Sequence, residues 1–312
     1  MDNSFQEIID QLSEEVSSKE TSLCIGTFDG VHRGHQKLFK ELVKISKINN
    51  LLSIVLVFEL RPREIINPSL SKPYIIPFEE RIQNIKSQKV DKTIKLNFDN
   101  NIRNISAKKF LEILKNKINL TSLVVSEDTK IGNDQKNGND LKKTCEELKI
   151  SFNSIKMSLD DNKIVSSSSV SSHISNGEID KANSMIGRTF RISGKVESGD
   201  KLGRTIGIPT ANLAVSKDLI IPGDGIYAVK VHVNNQIYKG ALSIGNRPVI
   251  KADDSRKIEV YIIDFNKNIY GELIEISIIS KIRNQENYGS LEELRFQIDK
   301  DIVQITNILE NA

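Results

Sequence analysis

Apolar positions follow two different rhythms along the chain. In the first, short apolar runs alternate with stretches of helical spacing. Residues 22–26 form a run ending in glycine, and residues 51–58 form a β-rich run. Between them, from His35 onward, Leu38, Phe39, Leu42 and Val43 recur at helical spacing. Residues 78–87 read as a helix with Ile82 and Ile85 on one side. Residues 106–117 group Phe110, Leu111 and Leu114 in the same way, and residues 140–149 read as a further helix. Strands are predicted at 93–98, 123–125 and 150–157. Strands alternating with helices predict right-handed βαβ units, and hence an α/β fold on a parallel sheet.

The second rhythm is closely spaced strands punctuated by glycine and proline, at 190–197, 225–233, 237–244, 258–264 and 273–279. That pattern predicts a small antiparallel β-barrel or sandwich. A closing helix follows, with Ser290 as N-cap and Glu293 three residues later as in a capping box. Six of the 17 glycines precede residue 185 and eleven follow it, which suggests two architectures. The expected domains are 1–184 and 185–312. Serines at 166–169 and 171–172 read either as a flexible linker or as an altered phosphate-binding turn.

A length of 312 residues agrees with two domains, each able to bury a core. Lys plus Arg is 44 against 41 for Asp plus Glu, so the net charge of +3 gives no argument for nucleic acid or an anionic membrane as partner. The longest apolar run, 54–58, is of strand length, far short of the roughly 18 residues that span a bilayer. The first residues are polar and acidic, unlike a signal peptide. Cys24 and Cys145 lie far apart with no metal-ligand spacing, so the expectation is a reduced, cytoplasmic chain without disulfides.

Two stretches carry chemistry. The first, Gly26-Thr-Phe-Asp-Gly-Val-His-Arg-Gly-His35, joins the first strand to the first helix and holds two of the four histidines. Glycines let a ligand approach the backbone, and the helix start presents free N–H groups and a positive dipole end to an anion. Imidazoles there can donate to phosphate oxygens. Two histidines at a helix start are also compatible with plain capping or solvation, and a zinc site lacks further ligands. His173 and His232 read as structural or solvated.

The complete string resembles the N-terminal module of the prokaryotic bifunctional riboflavin kinase/FAD synthetases, a nucleotidyltransferase module with a His-X-Gly-His signature. The resemblance implies a Rossmann-like sheet, with His32 and His35 on the ATP phosphates. It implies that Gly26, Phe28, Asp29, Asp128, Ser167 and Ser168 build the nucleotide site. The reaction is attack of the FMN phosphate on the α-phosphorus of ATP, giving FAD and pyrophosphate, with Mg2+ neutralising charge. Three segments depart from the family pattern. Phe58-Glu-Leu-Arg-Pro62 has Leu60 and Arg61 where the family has Pro and His. Ser126-Glu-Asp-Thr-Lys-Ile-Gly132 lacks both aromatic residues, at Thr129 and Ile131. Ser166-Ser-Ser-Ser-Val-Ser171 ends in Ser171 where the family has Arg. Losing that fixed charge weakens a charge-assisted contact to phosphate, unless another cation such as Arg61 or Lys130 replaces it.

The second stretch is Gly194-Lys-Val-Glu-Ser-Gly-Asp-Lys-Leu-Gly-Arg-Thr-Ile-Gly-Ile-Pro-Thr-Ala-Asn212. Gly199, Gly203 and Gly207 recur every four residues around Lys201 and Arg204, as in loops whose N–H groups converge on phosphate. Thr210 and Asn212 offer oxygen to a hard cation. A basic glycine-rich loop alone is also compatible with a cluster of turns, and the Walker A ending is absent. The ending Pro209-Thr-Ala-Asn212 resembles the riboflavin kinase signature, as do Gly225-Ile-Tyr227, Ile244-Gly-Asn-Arg-Pro248, Glu259-Val-Tyr-Ile-Ile-Asp264 and Tyr270-Gly271. Val249 departs from the family's Thr. The resemblance implies a six-stranded barrel in which Thr210 and Asn212 hold Mg2+ and ATP phosphates. Glu259 takes the proton of the riboflavin 5′-hydroxyl.

The leading expectation is therefore a two-step flavin enzyme acting on riboflavin, FMN and ATP. Two alternatives are a riboflavin kinase with a silent N-terminal module, and a flavin- or nucleotide-binding regulator without turnover.

Overall fold

The alternating pattern of the first half becomes strand–helix units around one sheet. A computed structural model of the chain describes residues 19–157, 165–199, 203, 207–245 and 256–311. These pack as two compact units. One runs to Ser167 without Pro73–Ile76, and the other comprises Pro73–Ile76 and the residues from Ser168 on.

In the first unit the elements are β1 (Thr21–Gly26), a 3-10 turn (Asp29–Val31), α1 (Arg33–Ile48), β2 (Leu52–Phe58), α2 (Pro62–Ile66), α3 (Phe78–Lys86), β3 (Lys92–Leu96), α4 (Asn100–Arg103), α5 (Ala107–Ile118), β4 (Leu120–Ser126), α6 (Gly138–Glu147) and β5 (Ser151–Ile155). The strands form a five-stranded sheet in the order β3-β2-β1-β4-β5, all neighbours parallel. The order reverses between β1 and β4, and in such sheets the crevice at the carboxyl ends of the reversal point is where ligands sit. Burial on both faces explains the unbroken apolar runs: Leu23, Ile54, Val55, Leu56 and Leu123 are each at most 1% exposed. Helix α1 turns Leu38, Phe39 and Leu42 inward, as their spacing predicts.

The second unit opens with α7 (Ser167–Ser175, whose first residue still belongs to the first unit) and α8 (Ile179–Ile186). Then follow β6 (Phe190–Glu197), β7 (Thr210–Ala214), β8 (Gly225–Val233), β9 (Gln236–Gly245), β10 (Lys257–Ile262), β11 (Leu273–Arg283) and α9 (Leu291–Glu310). The six strands close an antiparallel barrel in the order β10-β7-β6-β11-β8-β9. Alternation is clean on β10. Ile258, Val260 and Ile262 are buried, while Lys257, Glu259 and Tyr261 take the other face. Helix α9 starts as its capping box predicts. The N–H of Glu293 donates to Ser290 Oγ at 3.1 Å, and Glu293 Oε2 accepts from Gly289 N at 2.9 Å.

The structure and the sequence pattern differ at three points. The serine run at 166–172 is not a linker, because most of it winds into α7, with Val170 and Ile174 buried. Residues 210–214, unassigned from their pattern, form β7. Packing divides the chain at Ser167/Ser168, ahead of the change of architecture near 184, because α8 is bonded to the barrel. Asn183 Nδ2 donates to Ile278 O at 3.1 Å, and Asn183 Oδ1 accepts from Phe190 N at 2.7 Å.

One ion pair ties α9 to the barrel. Arg283, the last residue of β11, donates from Nη2 to Asp301 Oδ2 at 2.8 Å and from Nε to both carboxylate oxygens at 3.0 Å. Gln297 Nε2 adds a bond to Asp301 Oδ1 at 2.9 Å. Asp301 is 3% exposed. Removing one member of such a buried pair leaves the other charge poorly compensated. Asp301→Ala is therefore expected to destabilise the chain by about 3 kcal/mol, read as a lower urea midpoint.

Candidate functional site

The segment after β1 is wound unusually tightly. Phe28 is left-handed at φ 53°, Gly30 at φ 77° and Val31 at φ 40°. Positive φ is costly for a β-branched residue, so the surrounding packing must enforce it. Val31 is 1% exposed. The turn delivers His32 to the N-cap of α1 and His35 to its first turn. Their rings stack at 3.6 Å between centroids, and Phe28 meets His35 edge-on at 5.3 Å. Gly34 eases this stack, since a Cβ there would lie 3.2 Å from His32 Nδ1 and Cε1 and the ring would have to give by a few tenths of an ångström. Burial, followed by the neighbouring charges of His32 and Arg81, pushes the His35 pKa well below the usual imidazole range. His35 is thus a neutral imidazole, able to donate one hydrogen bond without carrying a charge.

These residues face a cavity of about 940 Å³ lined by Gly26, Phe28, His32, His35, Asp128 and Ser167. The loop after β4 is fastened by Ser126 Oγ, which donates to Asp128 Oδ1 at 2.6 Å. It is also held by Asp134 Oδ1, which accepts from Ala107 N at 2.8 Å at the start of α5. Ser167, at the head of α7, donates to Asp29 O at 2.9 Å. Ser168 is exposed and lies outside the lining. Ser171 is half-buried one helical turn after Ser167. One end of the cavity is apolar, formed by Phe58, Ile66, Phe98 and Ile102.

The cations divide into engaged and available groups. Arg61 does not stand in for the arginine missing at 171. It bonds Asp29 Oδ2 at 2.6 Å and Glu64 Oε1 at 2.5 Å, with all three side chains largely buried. Burial opposes its charge, but the Glu64 and Asp29 bonds outweigh burial and raise its pKa. Asp29 therefore presents its carboxylate to Arg61, and its backbone carbonyl to Ser167. Arg63, Arg103, Lys130 and Lys156 also line the cavity, and among the described residues none of the four is in an ion pair. Lys130 was one of two cations the sequence offered, whereas Arg63, Arg103 and Lys156 carry no motif that would mark them.

Arg81, also missed, is 1% exposed on α3. Its Nη1 lies 3.1 Å from each of Thr27 O, Phe58 O and Glu59 O. The signal was present in the pattern. Arg81 stands three residues after Phe78 and four before Ile85, so it is a charge on an apolar stripe.

In the barrel, β7 and β10 place Glu259 beside Asn212 and Tyr261 beside Thr210. Thr210 Oγ1 donates to Glu259 Oε2 at 3.1 Å. On the other side Glu259 is registered with Ser243, whose Oγ accepts from Gln285 Nε2 at 2.9 Å. Gly199 leaves room for the Asn212 amide, because a Cβ would lie 2.1 Å from Asn212 Nδ2 and push that side chain aside. Gly207, Pro209 and Thr210 line a second cavity of about 590 Å³ with Phe265, Lys267 and Tyr270. Lys201, Arg204 and the 246–249 segment lie outside the described residues. No group of three or more His, Cys, Asp and Glu side chains is placed to hold a metal among the described residues. His173 bonds Glu178 at 2.6 Å and His232 bonds Ser277 at 2.9 Å.

The Asp29–Arg61–Glu64 cluster is a structural brace for the turn after β1. Arg61→Ala removes the cation both carboxylates share, and is expected to lower stability by about 3 kcal/mol, measured by chemical denaturation.

Comparison with known proteins covers both sites. A family model described as FAD synthetase matches residues 14–169, and one described as riboflavin kinase matches residues 186–309. Relatives named bifunctional riboflavin kinase/FMN adenylyltransferase are similar over nearly the whole chain. That of Buchnera aphidicola subsp. Schizaphis graminum is 35% identical over 291 residues, covering 91% of this chain and 93% of its own. Those of Haemophilus influenzae and Bacillus subtilis are 34% and 32% identical, covering 90% and 89% of this chain and 92% and 89% of their own. A crystal structure from Streptococcus pneumoniae described as a macrolide-efflux protein is 28% identical, with a TM-score of 0.84 over 95% of this chain and 97% of that one. Among the described residues no helix is long and apolar enough to cross a membrane. With both family models matched in order, and relatives above 30% identity spanning the chain, this protein belongs to the bifunctional riboflavin kinase/FMN adenylyltransferase family.

Proposed function

We infer that this chain converts riboflavin to FMN in its barrel and FMN to FAD in its α/β unit, with ATP as co-substrate of both steps. The observation that carries the kinase assignment is the Thr210–Glu259 hydrogen bond, which brings a strand carboxylate onto the Pro-Thr-Ala-Asn signature. Glu259 accepts the proton of the ribityl 5′-hydroxyl as its oxygen bonds the γ-phosphorus and ADP leaves. The donor set of Thr210 hydroxyl, Asn212 amide oxygen and a nearby carboxylate is all oxygen, which suits Mg2+. When bound, that ion would neutralise phosphate charge. Gly207 and Pro209 line the cavity next to Thr210, and Gly199 leaves room for the Asn212 amide.

In the α/β unit, an FMN phosphate oxygen attacks the α-phosphorus of ATP and pyrophosphate leaves. His32 and His35 donate to the phosphates, and Gly26, Phe28, Asp128 and Ser167 shape the nucleotide end, whereas Ser168, exposed and outside the lining, does not. Asp29 acts through Arg61 rather than on the ligand. Lys130 and Lys156, on the loops after β4 and β5, supply the positive charge that Ser171 lacks. The apolar end of the cavity suits a flavin ring. The catalytic division follows the change of architecture, with 1–184 for adenylyl transfer and 185–312 for the kinase. Two free, buried cysteines are consistent with a cytoplasmic enzyme, and neither nucleic acid nor a membrane is called for as partner.

The test is chromatographic separation of riboflavin, FMN and FAD after incubation with ATP and Mg2+. The wild-type chain is expected to make FMN and then FAD. Glu259→Gln should lose FMN formation by about a hundredfold or more while still converting added FMN to FAD. Unchanged FMN formation would remove the base assignment. Ser171→Arg is expected to leave the rate of FAD formation level, because Lys130 and Lys156 already supply the charge. A clear rise would mean that they do not.

A further inference from the structure

The parallel strands β1 and β2 end side by side at the cavity that holds His32 and His35. The oxygens of Thr27, Phe58 and Glu59 converge on a single point. Three carbonyl dipoles aimed together form a negative edge, which opposes binding of a phosphate chain in the adjoining cavity. The point is occupied by Nη1 of Arg81, which carries a permanent charge and is 1% exposed. Its guanidinium is also 5.3 Å from the centroid of the Phe78 ring.

We propose that Arg81 is a positioning residue for adenylyl transfer, holding the left-handed turn after β1 in place and reversing the sign of the strand-end edge that faces the phosphates. Three observations support it. Its bonds reach Thr27, the residue before the left-handed Phe28, so the guanidinium fixes the point from which the turn departs. Phe28 in turn packs against both His35 and Phe39, at 5.3 Å and 4.9 Å between centroids. The charge of Arg81 also acts on His35, where it adds to burial and His32 in keeping the ring neutral. Arg81 is buried behind the loop, so it acts through the loop and the field rather than by touching substrate. A 1 Å displacement of reacting groups costs about a hundredfold in rate, and a buried charge acts through a low dielectric.

The inference rests on the adenylyltransferase reading, so the wild-type rate of FAD formation is the reference. The full chain is assayed as Arg81→Lys and Arg81→Gln, with thermal unfolding recorded for each and FMN formation from riboflavin as an internal control. Gln can bond some of the carbonyls but has no charge. Lys keeps the charge but cannot span all three. The expected result is a kcat for FAD formation lowered about a hundredfold in Gln and about tenfold in Lys, with KM for FMN and ATP within about threefold and the kinase unchanged. Lys no better than Gln would overturn the electrostatic part. A loss confined to KM, or wild-type kcat in a folded Lys variant, would overturn the proposal. If the Gln variant fails to fold, the Lys variant alone decides. A wild-type chain that makes no FAD overturns the adenylyltransferase reading, and the inference with it.

Discussion

The carboxyl edge of the parallel sheet must be made hospitable to phosphate before any catalytic group can act. Where parallel strands end, carbonyls past the last rung of the ladder lose their sheet partners, so the carboxyl ends of β1 and β2 begin as a negative edge. Helix N-termini counter part of this: α1 opens beneath His32 and α7 opens at Ser167. Two buried arginines complete the inversion by different means. Arg61 neutralises Asp29 and Glu64, two carboxylates that would otherwise repel the ligand. Arg81 caps backbone carbonyls just past β1 and at the end of β2. Neither needs to touch a substrate, and both hold the strained turn that carries the histidines.

The barrel solves a different problem with opposite charge. There the chemistry needs a carboxylate beside a hydroxyl to be deprotonated, and register alone supplies it. Glu259 lies between Asn212 on β7 and Ser243 on β9 because three strands are in fixed antiparallel pairing. A one-residue slip would turn Glu259 into the barrel and Val260 out, which the burial of Val260 forbids. The proposed base is thus held by the same alternation that builds the core.

That contrast explains what could be read from the chain in advance. Strands β6 and β8 were legible to the residue, because alternation and bounding glycines are local signals. β7 was not, since Thr210–Ala214 has little apolar content and buries only Leu213, so its strand state comes from neighbours on both sides. The serine run misled for a related reason. Serine is a poor helix former on its own, and α7 exists because Val170 and Ile174 are buried beneath it. Motif glycines and histidines were legible as a set, but the bonds that orient them were not. Arg81 reaches Thr27 across 54 positions and Ser167 reaches Asp29 across 138. No window of sequence contains such pairs.

The departures from the family pattern also look different once charge is traced through the structure. Arg61 in place of a histidine does not add a ligand for the triphosphate, because its charge is matched at once by Asp29 and Glu64. It is better understood as exchanging an imidazole for a brace that stiffens the turn after β1. Ser171 then removes a charge from α7 without removing the serine that ties the helix head to Asp29. What remains at the cavity is a rim of four cations outside any ion pair among the described residues, contributed by α2, α4 and the loops after β4 and β5. On the reading that these cations serve the phosphates, several long side chains at the edge stand where the family pattern has one fixed arginine. Long side chains at a rim can follow the phosphates from triphosphate to pyrophosphate, at the cost of the tight geometry that one bidentate arginine provides.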